Sequence, residues 1–447
     1  MFKSIGYYIL VTAILLTIYN WLSPSKSISS VYVLIGLPTL FFVFFEKLRK
    51  ASKSKINFGV IYFIAMAFFM VAGNLTSEII LFMFPHFNVT GMDNTNLFWL
   101  AGMFFFALGF ILTKQKHTRN KNLKVYIFSK KYIIILFGFC LIATFFSILK
   151  LGFIPILNSS SGNERFFGEI ASTTIIIRLY KMGVISSILA TIYFFKINKD
   201  FKILLIALFS FSFMTIFFVR IFPALIIFSV GLFIISIIKN KKNIYLTIGL
   251  SLPLLLYINT SMLDYRSNYE RSSNNSGEVS QTQTSVVSFS DDYTILNNFI
   301  RDYNDEFYYG QTFLAVPAAF IPSQVFQIFG IIKLDILHNT SARIVAKYYN
   351  VDAEGLRIGL MGELFLNFGF YGAMFMYFLG LITKKLQYKI ETTNYSDFRL
   401  GFYYLFFTII LYSIDSQIDV IGTLVSEFLI VFLITKKLTK NYILSIK

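Results

Sequence analysis

Charge is what this chain has least of. Only 14% of its 447 residues are charged, against about 25% in soluble domains, so water is the wrong solvent for most of its surface. The single cysteine, Cys140, excludes an intrachain disulfide and a cysteine-rich metal site. The three histidines, His86, His117 and His338, are too far apart for ligand spacing. There is no Walker loop and no Asp-x-Asp pair of the kind that holds the metal of a nucleotide sugar; Asp291-Asp292 is adjacent but falls in a tract expected to be mobile. The sequence therefore calls for no metal and no other cofactor.

What is present is apolar. Hydrophobic residues make up 56% of the chain, with 54 Phe among them. They are gathered into runs of the roughly 20 residues needed to cross about 30 Å of hydrocarbon. The net charge of +17 does not point to nucleic acid. Lys and Arg sit in short clusters between apolar runs, the pattern of cytoplasmic loops, and form no basic stripe on a soluble fold.

The runs predict twelve spans, near 5–22, 28–46, 56–73, 96–113, 132–149, 174–195, 201–218, 221–238, 244–262, 358–381, 399–414 and 417–435. All are expected to be helices, because an open sheet cannot satisfy its backbone in lipid. The first run lacks a small-residue cleavage site and reads as a retained helix rather than a signal peptide. With a cytoplasmic N-terminus, the inside loops are 47–55, 114–131, 196–202, 239–243 and 384–399, with the tail from Lys436; about two thirds of all Lys and Arg fall there. The longest outside segment, 263–355, carries eleven acids against six bases. The expected fold is an all-α polytopic bundle of about 12 transmembrane helices with a large extracytoplasmic loop and both termini cytoplasmic. Its parts are transmembrane helices 1–9 in 1–262, the loop with interfacial helices in 263–357, and helices 10–12 with a cytoplasmic tail in 358–447.

Two outside loops stand out. In the long one, Ser272 to Ser290 is polar and expected to be mobile. Gln311 to Ile332 is apolar but interrupted by Pro317 and Pro322, which disfavours one straight span and predicts helices lying on or dipping into the outer leaflet. In the other, Lys150 to Thr173, an apolar half precedes a polar half that presents Arg165.

Charges at membrane level are costly and mark candidate sites. Arg220 lies in a tight outward turn between two apolar spans, where it either snorkels or serves a function. Arg266 either pairs with Asp264 or meets a ligand. Arg178 and Lys181 lie one turn apart near the outer end of the sixth span, consistent with snorkelling or with a phosphate site. Arg343 and Arg357 flank the last part of the long loop and, taken singly, read as solvated charges. His338, beside Asn339, is the one histidine in a dense polar motif and can accept a hydroxyl proton near neutral pH. Gly355, Gly359, Gly362, Gly369 and Gly372 give small faces for close packing. Among them Glu363 and Asn367 share a helix face, and pairing of Glu363 with an Arg is preferred over a catalytic role. Several outward Arg around one loop suit a lipid pyrophosphate, whose oxygens the guanidinium fork matches.

These residues resemble the O-antigen and capsule repeat-unit polymerases of the Wzy type, and more distantly the O-antigen ligases. The layout of about twelve spans with a large late outside loop is similar. So are the outward Arg220, Arg266 after the next span, and His338-Asn339 followed by Gly362-Glu363 and Asn367-Phe368-Gly369. A ligase would carry a Gly about ten residues after its His-Asn pair, whereas here the first is Gly355.

The resemblance implies a glycosyltransferase that moves undecaprenyl-pyrophosphate-linked oligosaccharide onto a new repeat unit at the outer face of a bacterial cytoplasmic membrane. It would need no metal. Arg220 and Arg266 would neutralise pyrophosphate, His338 would orient or deprotonate the acceptor hydroxyl, and Arg165 or Arg343 would assist the second lipid or the sugar. Arg178, Arg357, Asn339 and Glu363 would complete the substrate site. The expected partners are the lipid-linked oligosaccharide and membrane lipid, with a chain-length regulator and a flippase as further candidates, and no nucleic acid. A lipid-linked oligosaccharide flippase is the rival from another class; it would show two related halves, and no repeat is evident. Product, sugar and linkage are not legible in the sequence.

Overall fold

The computed structural model describes residues 35–83 except 53 and 55, 92–113, 122–151 except 128, 174–216, 221–238, 291–330 except 304–305 and 321–322, 340–349, 358–393, and 397–445 except 417. Among these, regular structure is helical apart from one short ribbon. In chain order the elements are α1 (35–50, with a π-turn at Phe41–Phe45), α2 (Phe58–Met83), α3 (Met92–Leu112), β1 (Asn122–Ile127), α4 (Lys130–Leu151), α5 (Thr174–Lys196), α6 (Phe201–Thr215) and α7 (Ile221–Ile237). Then come α8 (Asp291–Asp302), a 3-10 turn (Gln311–Leu314), α9 (Ala315–Phe320), α10 (Ser323–Ile328), α11 (Ser341–Tyr348), α12 (Gly359–Phe368), a second 3-10 segment (Gly369–Phe375), α13 (Met376–Thr392), α14 (Arg399–Tyr412), α15 (Ile418–Leu438) and β2 (Lys440–Ser445).

Helices thus occupy nine of the twelve expected spans and the described part of 28–46; the runs 5–22 and 244–262 lie outside the described residues. Four stretches are long and apolar enough to cross a membrane: Asn94–Leu112, Lys130–Lys150, Ile176–Lys196 and Gly359–Thr392. The last is not one smooth helix. Gly369 takes φ 59°, in the left-handed region, and the chain tightens into the 3-10 segment before α13 resumes. Asp291 and Asp292, expected in a mobile tract, instead stand at the start of α8. The apolar stretch around Pro317 and Pro322 forms two six-residue helices, α9 and α10, as the proline pair predicts.

The chain divides into two compact units. One comprises Met1–Lys116, Val286–Tyr388 and Ile409–Ser426; the other comprises His117–Ser285, Lys389–Thr408 and Glu427–Lys447.

In the first unit, α3 and α13 cross at glycines. A Cβ on Gly109 would come 2.0 Å from the Tyr377 carbonyl oxygen, and one on Gly380 would come 2.1 Å from that of Phe106. Backbones approach this closely only where both helices present small residues. Gly359 and Gly372 play the packing role expected of them, with a Cβ at 2.4 Å from the Ile414 oxygen and 2.3 Å from the Leu364 oxygen. The buried aromatic core is built on Trp99, whose indole N–H donates to the Met66 carbonyl at 3.0 Å.

The second unit shows its solvent most directly. The inward face of α4 carries Cys140, Ala143, Thr144 and Ser147, all buried, and the two hydroxyls donate back to the carbonyls of Cys140 and Ala143 at 2.8 Å. Its exposed face carries Ile135, Phe139, Ile142, Phe145, Phe146 and Leu149. Small and polar inside with bulky apolar outside is the order that hydrocarbon selects, because lipid tails solvate Phe and Leu while hydroxyls need protein partners. α5 repeats the pattern: Ser187 donates to the Ala207 carbonyl on α6 at 3.0 Å. At the far end of this unit, β1 and β2 pair antiparallel from Asn122 opposite Ser445 to Ile127 opposite Lys440. Asp397 caps the start of α14 by accepting from the Arg399 amide at 2.9 Å, and it also accepts from the Tyr126 amide at 3.2 Å.

Candidate functional sites

Among the described residues, each unit holds one buried carboxylate within a helix, and the two are caged differently.

In the first unit the carboxylate is Glu363, on α12, 1% exposed. The 3-10 turn Gln311–Leu314 places Thr312 against it, so that the hydroxyl donates to Glu363 Oε1 at 2.8 Å. The Ile418 amide, at the start of α15, donates to Oε2 at 2.7 Å. Helical spacing puts Asn367 one turn on, as the sequence predicts. Its Nδ2 donates both to the Glu363 carbonyl and to the Thr312 hydroxyl oxygen, each at 2.8 Å, and its Oδ1 accepts from the Gly310 amide at 2.8 Å. Two further backbone bonds dock the preceding turn: Tyr308 N–H to the Leu366 carbonyl at 3.2 Å, and Tyr309 N–H to the Asn367 carbonyl at 3.0 Å. Sequence reasoning expected an Arg beside Glu363, a pairing for which Arg357 lies outside the described residues; the described donors to its carboxylate include a hydroxyl and a backbone amide. Both are donors that stabilise the ionised carboxylate without charge.

The clamp has a conformational consequence. Tyr309 takes φ 48°, and among the described residues it is the one non-glycine residue with positive φ. Such a conformation costs on the order of 1–3 kcal/mol and persists where the surroundings over-determine it. Asn367 and the docked turn do so here.

Above this knot lies a polar and aromatic layer. Arg301 forks onto Asp302, with Nε to Oδ1 at 2.6 Å and an η-nitrogen to Oδ2 at 2.8 Å. This hydrogen bond holds the Asp302 carboxyl below the usual range. Tyr348 donates to the Asp302 carbonyl, and its ring meets Phe299 and Tyr303 edgewise or tilted at 5.8 and 5.6 Å between centroids. Burial pushes the neighbouring Tyr349 phenol up to about 12. On α2, α3 and α8, Asn74 and Asn96 exchange amide hydrogen bonds at 2.8 and 3.0 Å, and Tyr293 donates to Asn96 at 2.6 Å. Arg343 is exposed on α11.

In the second unit the carboxylate is Glu427, on α15, 8% exposed. Lys181 of α5, equally buried, donates to Oε2 at 2.6 Å. Arg178, one turn earlier and 42% exposed in its side chain, brings Nε to 3.6 Å from Oε1. Two cations thus approach one carboxylate among apolar helices, where desolvated charges are retained only when paired, and Arg178 is the more exposed of the two. Sequence reasoning named Arg178 and Lys181 but missed Glu427, although an acid deep inside an apolar run is itself a signal.

Of the other expected site residues, Arg165, Arg220, Arg266, His338, Asn339 and Arg357 lie outside the described residues. Among the described residues no group of His, Cys, Asp and Glu is arranged to hold a metal. Compared with protein-family models, curated proteins and solved structures, the chain matches none.

Proposed function

We propose that this chain is a membrane glycosyltransferase of the repeat-unit polymerase kind. In this reading it lengthens a polysaccharide at the outer face of a bacterial cytoplasmic membrane from undecaprenyl-pyrophosphate-linked units. The observation that carries the reading is the Arg178–Lys181–Glu427 cluster. It places two cations one turn apart on a helix long and apolar enough to span lipid, with the guanidinium the most exposed of the three groups. A phosphate attached to a lipid arrives at that level, and Arg matches its oxygens bidentately.

A twelve-span topology is part of the same reading. Contacts within each unit join segments that charge places on one side. Lys384 and Gln387 bond the carbonyls of Ala51 and Ile56; the β1–β2 ribbon meets Asp397; and Lys130 meets Asp200. All of these lie in or beside the basic loops expected to be cytoplasmic. The Asn74–Asn96–Tyr293 network and the Glu363 knot join segments expected at the other face. Exposed Ile328 and Phe329 at the end of α10 suit a helix lying on the leaflet.

In the proposed reaction, the acceptor sugar hydroxyl of the new unit attacks the anomeric carbon of the growing chain. The bond from that carbon to the pyrophosphate oxygen breaks. The electron pair stays on pyrophosphate, where Arg220 and Arg266, and Arg178 at membrane level, offset the developing charge. The hydroxyl proton goes to His338. Arg165, Arg343, Arg357 and Asn339 serve the second lipid or its sugar, and Glu363 holds the turn that precedes them.

The test is to delete the gene in its host and resolve the surface glycan by size, complementing with Arg178→Ala, Arg220→Ala and His338→Ala. The expected result is loss of long polymer with single repeat units still exported, and no rescue by the Arg220 and His338 variants. Loss of all exported units, with lipid-linked units trapped inside, would mean a flippase.

A further inference from the structure

We infer that Tyr309 is a carbohydrate-stacking platform, held out from the protein by the Asn367 clamp. The identity of its ligand, the sugar of a lipid-linked oligosaccharide, rests on the polymerase reading. Three observations carry it. Tyr309 is 75% exposed although Thr312 and Asn367, which fix its turn, are fully buried. Its backbone sits at φ 48°, a conformation that glycine would adopt at no cost, yet the chain places tyrosine there and glycine, at φ 90°, only in the next position. The turn is then fixed by Asn367, which accepts from both the Tyr309 and Gly310 amides, while Gly369 brings the neighbouring chain within reach of the Phe307 ring.

A strained backbone is a costly way to hold a ring that is 75% exposed among the described residues, and it gains little packing there. It does fix the ring's direction. The face of an aromatic ring is electron-rich, and the axial C–H groups of a pyranose present a flat, weakly positive face that lies upon it. The exposed polar side chains on the same turn include Glu306 and Gln311, a carboxylate and an amide that can hydrogen-bond sugar hydroxyls at the edge of the platform, and the Phe307 ring is exposed beside them. An interfacial membrane anchor would also expose a tyrosine, but it would require no left-handed backbone and no clamp.

The strain supplies its own control. Tyr309→Gly removes the ring and relieves the backbone together, so it separates lost binding from lost folding. The full chain in lipid nanodiscs is titrated with the host's surface glycan released from its lipid by mild acid, and in parallel with undecaprenyl phosphate, which carries no sugar. Tyr309→Gly and Tyr309→Ala should bind the glycan about tenfold more weakly, with binding of undecaprenyl phosphate unchanged. Tyr309→Phe should stay within about twofold of the parent, and Tyr309→Gly should melt no lower than the parent. Glycan binding equal to the parent in Tyr309→Gly would overturn the proposal. So would a variant whose only defect is membrane retention, which is the mark of an anchor. If glycan binds through Tyr309 while gene deletion leaves long polymer intact, the polymerase reading fails and the platform stands.

Discussion

Glu363 and Glu427 are both buried carboxylates on apolar helices, and they solve the problem of a charge out of water in opposite ways. Glu363 is held by a threonine hydroxyl and a backbone amide, with Asn367 closing the ring, so its cage ties three stretches of chain together. Glu427 is held by Lys181 and approached by Arg178, so its cage is built from ion pairs. The first arrangement fixes a turn through neutral donors. The second is ionic and places an arginine at its more exposed edge. A buried acid is therefore not informative by its type; what surrounds it decides whether it is a staple or part of a binding site.

The comparison is broken most forcefully at Glu427. Glu427→Gln leaves a buried lysine without its counter-charge and should cost about 3–5 kcal/mol, read as a fall in the melting point in nanodiscs. Replacing both members, Lys181→Met with Glu427→Met, should recover most of that loss, because an apolar pair of similar volume pays no desolvation. It should still fail to restore polymer. Recovery of polymer as well would make the cluster purely structural.

The corresponding change in the other unit should be milder. Glu363→Gln keeps the shape of the cage, and the Thr312 hydroxyl can turn to accept, leaving one poorly matched donor at the Ile418 amide. The expected cost is about 1–3 kcal/mol. A loss as large as that of Glu427→Gln would show that the two cages are not different in kind.

The smallest effect belongs to Asp302. Its folded value is lowered by the Arg301 hydrogen bond. It therefore contributes stability above the ordinary carboxylate pKa of about 4, and that contribution is lost as pH falls through the depressed value. Because both side chains are well exposed, 28% for Arg301 and 40% for Asp302, solvent screening keeps the contribution small. Arg301→Gln should flatten this part of a melting-point profile taken between about pH 5 and pH 2; an unchanged slope would mean that the pair contributes nothing measurable.

Much of the helix pattern was legible because an apolar run of the right length has few alternatives in lipid. The runs behind α3 to α7 were read within a few residues of their observed ends, α2 runs ten residues past the expected 73, and the proline pair falls where α9 gives way to α10. The Glu363–Asn367 face was legible from i, i+4 spacing. Thr312 as its partner was not, because a hydroxyl fifty-one residues away in the chain has no periodicity to mark it. Glu427 was a missed signal rather than an absent one: the acid stands in plain view within the last apolar run. The strain at Tyr309 had no sequence mark at all, since tyrosine before glycine is ordinary in a turn, and only the Asn367 clamp makes it costly.

By itself the sequence determined the solvent. Low charge, long apolar runs and clustered Lys and Arg require helices with their bulky side chains outward, because backbone groups must be satisfied within each helix and only lipid welcomes such a surface. Tertiary structure alone decided which polar groups meet. Hydrogen bonds and ion pairs depend on contacts between residues far apart in the chain, which no local pattern encodes. That is why Lys181 could be read as a snorkelling cation until Glu427 was found beside it.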